Sequence, residues 1–193
     1  ELVVLPEAGV QGYPAGAQTY SRDQITAWGE PADGPSIRAL RDLAAELSIH
    51  LVAGYDRIDG DDLYNTAELI GPDGAVIGRY DKTHTLSGGD VGLYEPGADL
   101  PVFDTPWGGV GILICNDRVY AETWRVLMLR GARTVLIPSN GSYNDGNTRR
   151  LQTMTVDNGV ACLFAHPRRG LVIDPHGGIV DHDEDEAVEV ANG

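Results

Sequence analysis

Cys115 is the residue of this sequence best placed for nucleophilic chemistry. It ends the apolar run Gly109–Ile114, which predicts a strand buried on both faces, and it precedes a helical pattern from about Ala121 to Leu129. A thiol at such a strand-to-helix turn lies beside the amide donors of the helix start, which favour the reactive thiolate. The alternative is that Cys115 is a small buried core residue, as free cysteines commonly are.

Glu7 and Lys82 are the candidates for acid, base or electrostatic roles. Glu7 follows the predicted strand Leu2–Leu5, and Lys82 follows the second strand of a hairpin with an Asp73-Gly74 turn. Ligand sites of open α/β sheets form outside the carboxyl ends of strands. At such an end Glu7 could act as a general base, and Lys82 could stabilise a thiolate or an oxyanion. Taken alone, each is more simply explained as a solvent-exposed charge.

The order of the predicted elements is that of a layered α/β domain. Strand runs alternate with helical patterns, and hairpins are inserted between them. Apolar spacing predicts a helix over 37–47, with Ser36 after Pro35 as its N-cap. The acidic run Asp181–Glu186 is expected to be a solvated turn, and Cys162 is expected to be a packing residue of a later strand.

Composition limits the function classes. A chain of 193 residues with 42% apolar content can bury one core, and its net charge of −15 argues against nucleic acid or an anionic membrane as a partner. No apolar run is long enough to span a bilayer. Two distant cysteines and the absence of a leader pattern favour a cytoplasmic location. We find neither a phosphate-binding loop nor metal-ligand spacing, and we therefore expect no cofactor and no metal.

Three separated motifs resemble the Glu-Lys-Cys triad of the carbon–nitrogen hydrolase (nitrilase) superfamily. They are Glu7 after Leu-Pro, Lys82 within Arg79–His84, and Cys115 within Ile-Cys-Asn-Asp-Arg. Further matches are Gly12-Tyr13, Asn65-Thr66-Ala67, Asp73-Gly74, Pro138-Ser139-Asn140 and Ile173-Asp174-Pro175-His176-Gly177. The resemblance covers nearly the whole chain, and three motifs in the family's order are a specific signal.

The resemblance implies an α/β fold, the four-layer α-β-β-α sandwich of that superfamily, assembled as a homodimer or larger homo-oligomer. It also implies that residues 1–193 form a single carbon–nitrogen hydrolase domain. Two features of the family pattern are missing from this sequence. One is the strand and helix that usually precede the Leu-Pro-Glu strand, and the other is part of a glycine-rich loop at Ala165–Gly170.

The chemistry that the resemblance implies is amide hydrolysis through a thioester. Cys115 would attack the carbonyl carbon, Glu7 would move the protons, and Lys82 and the backbone N–H of Asn116 would bind the oxyanion. The partners would be a small amide and water. The family's second acid aligns with Asp90, although Glu95 is the nearer acid to Pro96-Gly97. The implied substrate-binding residues are Tyr13, His84, Arg118 and Asn140.

Several substrate classes stay open at this point. Arg118 and the following helix are similar to N-carbamoyl-D-amino-acid hydrolases, which clamp a substrate carboxylate with paired arginines. Here Val119 follows Arg118, which weakens such a clamp and favours small neutral linear amides that release ammonia. Arg118 could instead form a structural ion pair. The alternatives are an N-carbamoyl hydrolase, a nitrilase, a Cys-His hydrolase that uses His84, and a catalytically silent binding subunit.

Overall fold

The computed structural model describes residues 1–12, 20–85 and 92–184. Tyr13 and Asp90 lie outside the described residues. The helices are α1 (Arg22–Trp28), α2 (Pro35–Leu47), α3 (Ala121–Leu129) and α4 (Asp145–Asn158), with a 3-10 helix at Cys115–Val119. The strands are β1 (Leu2–Val4), β2 (His50–Asp59), β3 (Asp62–Ile70), β4 (Val76–Asp81), β5 (Val102–Thr105), β6 (Gly108–Ile112), β7 (Ala132–Pro138), β8 (Ala161–His166), β9 (Arg169–Ile173) and β10 (Ile179–Glu184).

The strands form two sheets. The first has the order β1-β2-β3-β4, in which only β1 and β2 pair in parallel. The second has the order β10-β9-β8-β7-β6-β5, and its central strands β6, β7 and β8 are parallel. Parallel pairing requires crossover connections, and here α3 connects β6 to β7 while α4 connects β7 to β8.

The two sheets pack face to face, and helices cover their outer faces. Between the sheets, Val52 and Leu69 of the first sheet join Ile112 and Leu136 of the second in one apolar cluster. On the outer side of the first sheet, Ala44 of α2 packs with strand residues of β2 and β3. Trp124, Leu127 and Leu151, from α3 and α4, pack on the outer side of the second sheet. The predicted four-layer α-β-β-α sandwich is therefore confirmed.

The start of α2 differs from the sequence prediction. Gly34 is the N-cap, Pro35 occupies the first turn, and the N-cap residue itself makes no side-chain hydrogen bond to the helix. Proline suits this place because its fixed φ is helical and its missing N–H would have no partner there. Ser36 lies one residue further in, where its N–H and Oγ donate to the Glu30 carboxylate at 2.9 and 2.6 Å. The predicted N-cap role of Ser36 is therefore wrong. The backbone N–H of Ser36, which has no acceptor within the helix, donates to the Glu30 carboxylate instead.

The predicted turn over the acidic run 181–186 is also corrected for residues 181–184, while residues 185 and 186 lie outside the described ranges. Residues 181–184 continue β10, which pairs antiparallel with β9, and do not form a solvated turn. The strand is at the edge of its sheet, where charged side chains can stay in water while the backbone pairs on one side. Across the described ranges, no helix has both the length and the apolar character required to cross a membrane.

Candidate active site

Glu7 and Lys82 meet in the interior, although 75 residues separate them in the chain. Glu7 follows the short strand β1, and Lys82 comes directly after β4, at the other side of the same sheet. The Lys82 ammonium donates to Glu7 Oε1 at 2.7 Å, and both side chains are almost fully buried. Burial matters because an ion pair that is removed from water is stronger than an exposed one.

Two asparagines fix the orientation of the Glu7 carboxylate. Asn65 Nδ2 donates to Glu7 Oε1 at 2.9 Å, while the backbone N–H of Asn140 donates to Oε2 at 3.0 Å. Asn140 Nδ2 also donates to the Glu7 carbonyl at 3.2 Å. Both carboxylate oxygens therefore accept hydrogen bonds, so the carboxylate is held in one position.

Cys115 begins the 3-10 helix that follows β6, and its φ is +45°. This left-handed conformation is uncommon for a residue with a side chain, and such strained positions are concentrated at functional sites. The thiol is buried, and burial is the main cause that raises its pKa, followed by the charge of Glu7. Lys82, Arg118 and a hydrogen bond with Ser139 oppose this rise. The three predicted triad residues thus share one electrostatic environment.

Asp117 connects the cysteine turn to the lysine loop. Its buried carboxylate accepts from the backbone N–H of Ile114 at 3.0 Å and from the Tyr80 hydroxyl at 2.7 Å. It also accepts from Thr83 Oγ1 and from the backbone N–H of His84, at 3.1 and 2.8 Å. Donors on both sides of Lys82 and one immediately before Cys115 therefore share one acceptor.

The segment after β7, Ser139–Ser142, forms another wall of the site. Ser139 contacts the thiol and Asn140 binds Glu7, as described above. A Cβ on Gly141 would lie 2.9 Å from Cys115 Sγ, so only glycine leaves the sulfur its present space. The carbonyl of Ser142 accepts from Arg118 Nη2 at 2.9 Å.

The other predicted site residues differ in their surroundings. His84 exposes 36% of its side chain and stacks on Tyr120, with the ring centroids 4.2 Å apart. Asn116 Nδ2 donates to the His84 carbonyl at 3.2 Å, and the Asn116 backbone lies in the first turn after Cys115. Arg118 is buried, and its hydrogen bonds go to amide, carbonyl and thiol groups, so the predicted structural ion pair is not what holds it.

Glu95, the second option for the additional acid, belongs to a surface ion pair. Its carboxylate lies 3.2 Å from Arg22 Nη1 and 44% of its side chain is exposed. Its backbone N–H donates to the Leu63 carbonyl, and Arg22 also binds the Leu93 carbonyl. Through these contacts Glu95 helps to attach α1 to the segment that precedes β5.

Sequence reasoning gave no role to Asn65, Asp117, Ser139 or Gly141. Asn65 and Ser139 stand inside motifs that match the family, and Asp117 is two residues from the cysteine. Position near a motif was therefore the available signal, but which neighbour faces inward depends on strand register and turn geometry. In the described ranges, no group of three or more His, Cys, Asp or Glu side chains could hold a metal ion.

The fold and the site define the class of protein: a four-layer α/β sandwich with buried Glu, Lys and Cys side chains after three of its strands. A model of the carbon-nitrogen hydrolase family matches residues 1–188. The chain belongs to this family, within the nitrilase superfamily.

Individual relatives agree with this assignment. A nitrilase of Pyrococcus abyssi is 36% identical over 142 residues, which are 72% of this chain and 52% of that protein. Human omega-amidase NIT2 is 32% identical over 181 residues, or 88% of this chain and 63% of the relative. The chain thus spans between half and two thirds of the length of these curated relatives. Nit3 of Saccharomyces cerevisiae, from branch 10 of the superfamily, superposes with a TM-score of 0.79 at 26% identity, over 95% of this chain and 72% of Nit3.

Proposed function

We propose that this chain catalyses the hydrolysis of carbon–nitrogen bonds other than peptide bonds, releasing ammonia from small linear amides. The observation that carries the proposal is the buried Glu7–Lys82 pair at 2.7 Å beside the Cys115 thiol. Nucleophilic catalysis needs a thiol, a base that takes its proton and a donor for the developing oxyanion. These three side chains supply all of them.

In the first half-reaction Cys115 forms a thioester. Glu7 takes the thiol proton and leaves a thiolate on Cys115, whose electron pair then bonds to the amide carbon as the carbonyl electron pair moves onto oxygen. Lys82 and the backbone N–H of Asn116 bind this oxyanion. The proton on Glu7 then passes to the amide nitrogen, the carbon–nitrogen bond breaks and ammonia leaves.

In the second half-reaction water hydrolyses the thioester. Glu7, again a carboxylate, takes a proton from a water molecule while the oxygen of that water bonds to the acyl carbon. The carbon–sulfur bond then breaks, the carboxylic acid leaves, and Glu7 returns the proton to sulfur. Because Asn65 and Asn140 hold the carboxylate in place, the same group can serve both steps.

The preference for neutral amides over carbamoyl amino acids is supported by the surroundings of Arg118. Its guanidinium is buried and already donates to Asn147, Cys115 and Ser142. Such a group has few donors left for a substrate carboxylate. Two relatives are named for omega-amidase and nitrilase activity, which places amides and nitriles first among the substrates to test.

The decisive experiment is ammonia release from a panel of small amides, carbamoyl amino acids and nitriles. We expect amides to be hydrolysed and Cys115→Ala to abolish turnover, whereas Cys162→Ala retains it. Cys162 is the matched control because it is a second buried cysteine, packed in the core beside α4. Exclusive turnover of nitriles or of carbamoyl compounds would contradict the amide assignment.

A second measurement tests the base. Glu7→Gln keeps the shape of the side chain but removes its proton acceptor, and we expect kcat to fall about 100-fold or more. Glu95→Gln, in the surface pair with Arg22, should leave kcat unchanged. If His84→Ala abolished turnover while Glu7→Gln did not, a Cys-His mechanism would replace the one proposed here. Full activity of Cys115→Ala would contradict the cysteine mechanism, whereas no turnover of any substrate by the wild type would favour a silent binding role for the site.

A further inference from the structure

Arg118 is a buried cation held by uncharged groups. Only 3% of the residue is exposed. Its Nε donates to Asn147 Oδ1 at 2.7 Å and its Nη2 to the Ser142 carbonyl at 2.9 Å, while Nη1 donates to the Cys115 carbonyl. Among the described residues, no carboxylate lies within ion-pairing distance of it. A guanidinium stays protonated at any ordinary pH, so this positive charge is permanent.

The same Nη1 atom lies 3.5 Å from Cys115 Sγ, within hydrogen-bonding distance of sulfur. Arg118 thus touches the atom that is expected to react. The guanidinium is also fixed: besides its three acceptors, its carbon lies 5.6 Å above the centre of the Phe164 ring. A fixed, desolvated cation interacts strongly with a nearby anion, because no water must reorganise when the anion appears.

The charged and polar groups that face the thiol come from four elements. Glu7 follows β1, Lys82 follows β4, Ser139 follows β7, and Arg118 belongs to the 3-10 helix that Cys115 begins. Lys82 is engaged with Glu7 at 2.7 Å, so its charge is largely balanced while Glu7 is ionised. When the thiol proton moves to Glu7, the Glu7 carboxylate beside Lys82 becomes neutral. The negative charge is then on the Cys115 sulfur, beside Arg118.

We propose that Arg118 is a catalytic residue that stabilises the Cys115 thiolate, in place of the substrate-carboxylate clamp that its position suggests. This inference rests on the function proposed above and adds a role for a fourth side chain. Arg118 would act twice: when sulfur loses its proton to Glu7, and when sulfur leaves the acyl carbon as the thioester is hydrolysed. In each step the electron pair ends on sulfur, 3.5 Å from Nη1.

The test is the pH dependence of Cys115 alkylation by iodoacetamide, followed by mass spectrometry of the Cys115 peptide. Only the thiolate reacts, and below the thiol pKa its fraction falls about tenfold for each unit by which that pKa rises. We expect Arg118→Met to slow alkylation near neutral pH about tenfold, with recovery at higher pH. Arg125→Met is the control, because Arg125 is an exposed arginine of α3 that binds the Asp157 carbonyl.

A second variant decides the matter if Arg118→Met does not fold. Asn147→Asp is nearly isosteric and places a carboxylate on Nε, 2.7 Å away, which pairs the free charge of Arg118. We expect it to slow alkylation in the same direction. Its control is Asn144→Asp, the same change at the exposed N-cap of the same helix, which should leave the alkylation profile unchanged.

The outcomes separate this inference from the proposed function. Alkylation profiles of Arg118→Met and Asn147→Asp that match the wild type would overturn the role of Arg118, whatever substrate is found. The role of Arg118 would also be overturned if Arg118→Met only raised KM for substrates that bear a carboxylate, as expected if Arg118 bound that carboxylate. Since alkylation needs no substrate, failure to detect amide hydrolysis would overturn the proposed function and leave the alkylation result to judge Arg118.

Discussion

Buried charges of the site are each held by directed hydrogen bonds. Glu7 accepts from Lys82, Asn65 and Asn140, and Arg118 donates to its own three acceptors. Removing one partner of such a set leaves a buried charge unpaired, which is costlier than never having the pair. Substitutions in the site therefore affect stability as well as rate, and isosteric changes are the informative ones.

His84 predicts a pH dependence of stability. Its pKa is raised above 6.5, mainly by the hydrogen bond from Nδ1 to Asp117, 3.1 Å away. A raised pKa means that the folded protein binds the proton more tightly, so the stabilisation is complete below about pH 6.5 and is lost as pH rises through the folded pKa. We expect the Tm difference between wild type and His84→Gln to shrink as the pH is raised from about 5.5 to about 8.5.

Asp117→Asn is the matched control for this effect. It removes the charge that favours protonated His84, so the pH dependence attributable to His84 should disappear in that background. A difference between wild type and His84→Gln that stays constant across the pH range would contradict the assignment.

Among the elements, the ends of β1, β4, β6 and β7 carry the site, and the strands beneath them must allow close approach. Gly54 of β2 lies under the loop that carries Glu7. A Cβ at this position would lie 2.6 Å from the Pro6 carbonyl oxygen and 3.3 Å from the Glu7 Cα. Backbone cannot move away as a flexible side chain can, so the loop itself would have to shift.

We therefore predict that Gly54→Ala displaces Glu7 and lowers kcat/KM about 10-fold to 100-fold. A shift of about 1 Å in a catalytic group can reduce the rate by about 100-fold. Ammonia release with the amide substrate measures the effect. Gly146→Ala on α4 is the control. Its added Cβ would meet one exposed side chain at 3.2 Å, and alanine favours helix, so activity should be kept and Tm unchanged or higher. Full activity of Gly54→Ala would show that the loop does not depend on this contact.

The molecule as a whole carries a net charge of −15. Charge of one sign repels itself in the compact state, and salt screens that repulsion because the Debye length falls from about 10 Å at 0.1 M to about 3 Å at 1 M. We predict that raising NaCl from about 0.1 M to about 1 M increases Tm by about 4 °C, or about 1–2 kcal/mol. A parallel series in sucrose separates screening from solute exclusion. A Tm that falls or stays constant in NaCl would show that the charge does not limit stability.

The fold was largely predictable from the sequence because its signals are local. Apolar runs of strand length, the Asp73-Gly74 turn and the apolar spacing over 37–47 each depend on a few neighbouring residues, and they gave the correct class, an α/β domain in layers. The number and order of those layers came from the resemblance to the family. The errors were local as well. Ser36 is not the N-cap, because Glu30, six residues earlier, accepts the hydrogen bond at the helix start. The acidic residues 181–184 form a strand because their backbone pairs with β9.

The sequence by itself also determined which side chains are available for chemistry: Glu7, Lys82 and Cys115 at the ends of strands. Only the tertiary structure decided that Lys82 reaches Glu7 across the sheet, that Asp117 gathers donors from two loops, and that Arg118 turns its guanidinium onto the cysteine sulfur. The physical reason is distance along the chain. Residue type and strand ends are encoded within a few positions, whereas these contacts join segments whose separation is set by sheet order, register and the packing of two sheets.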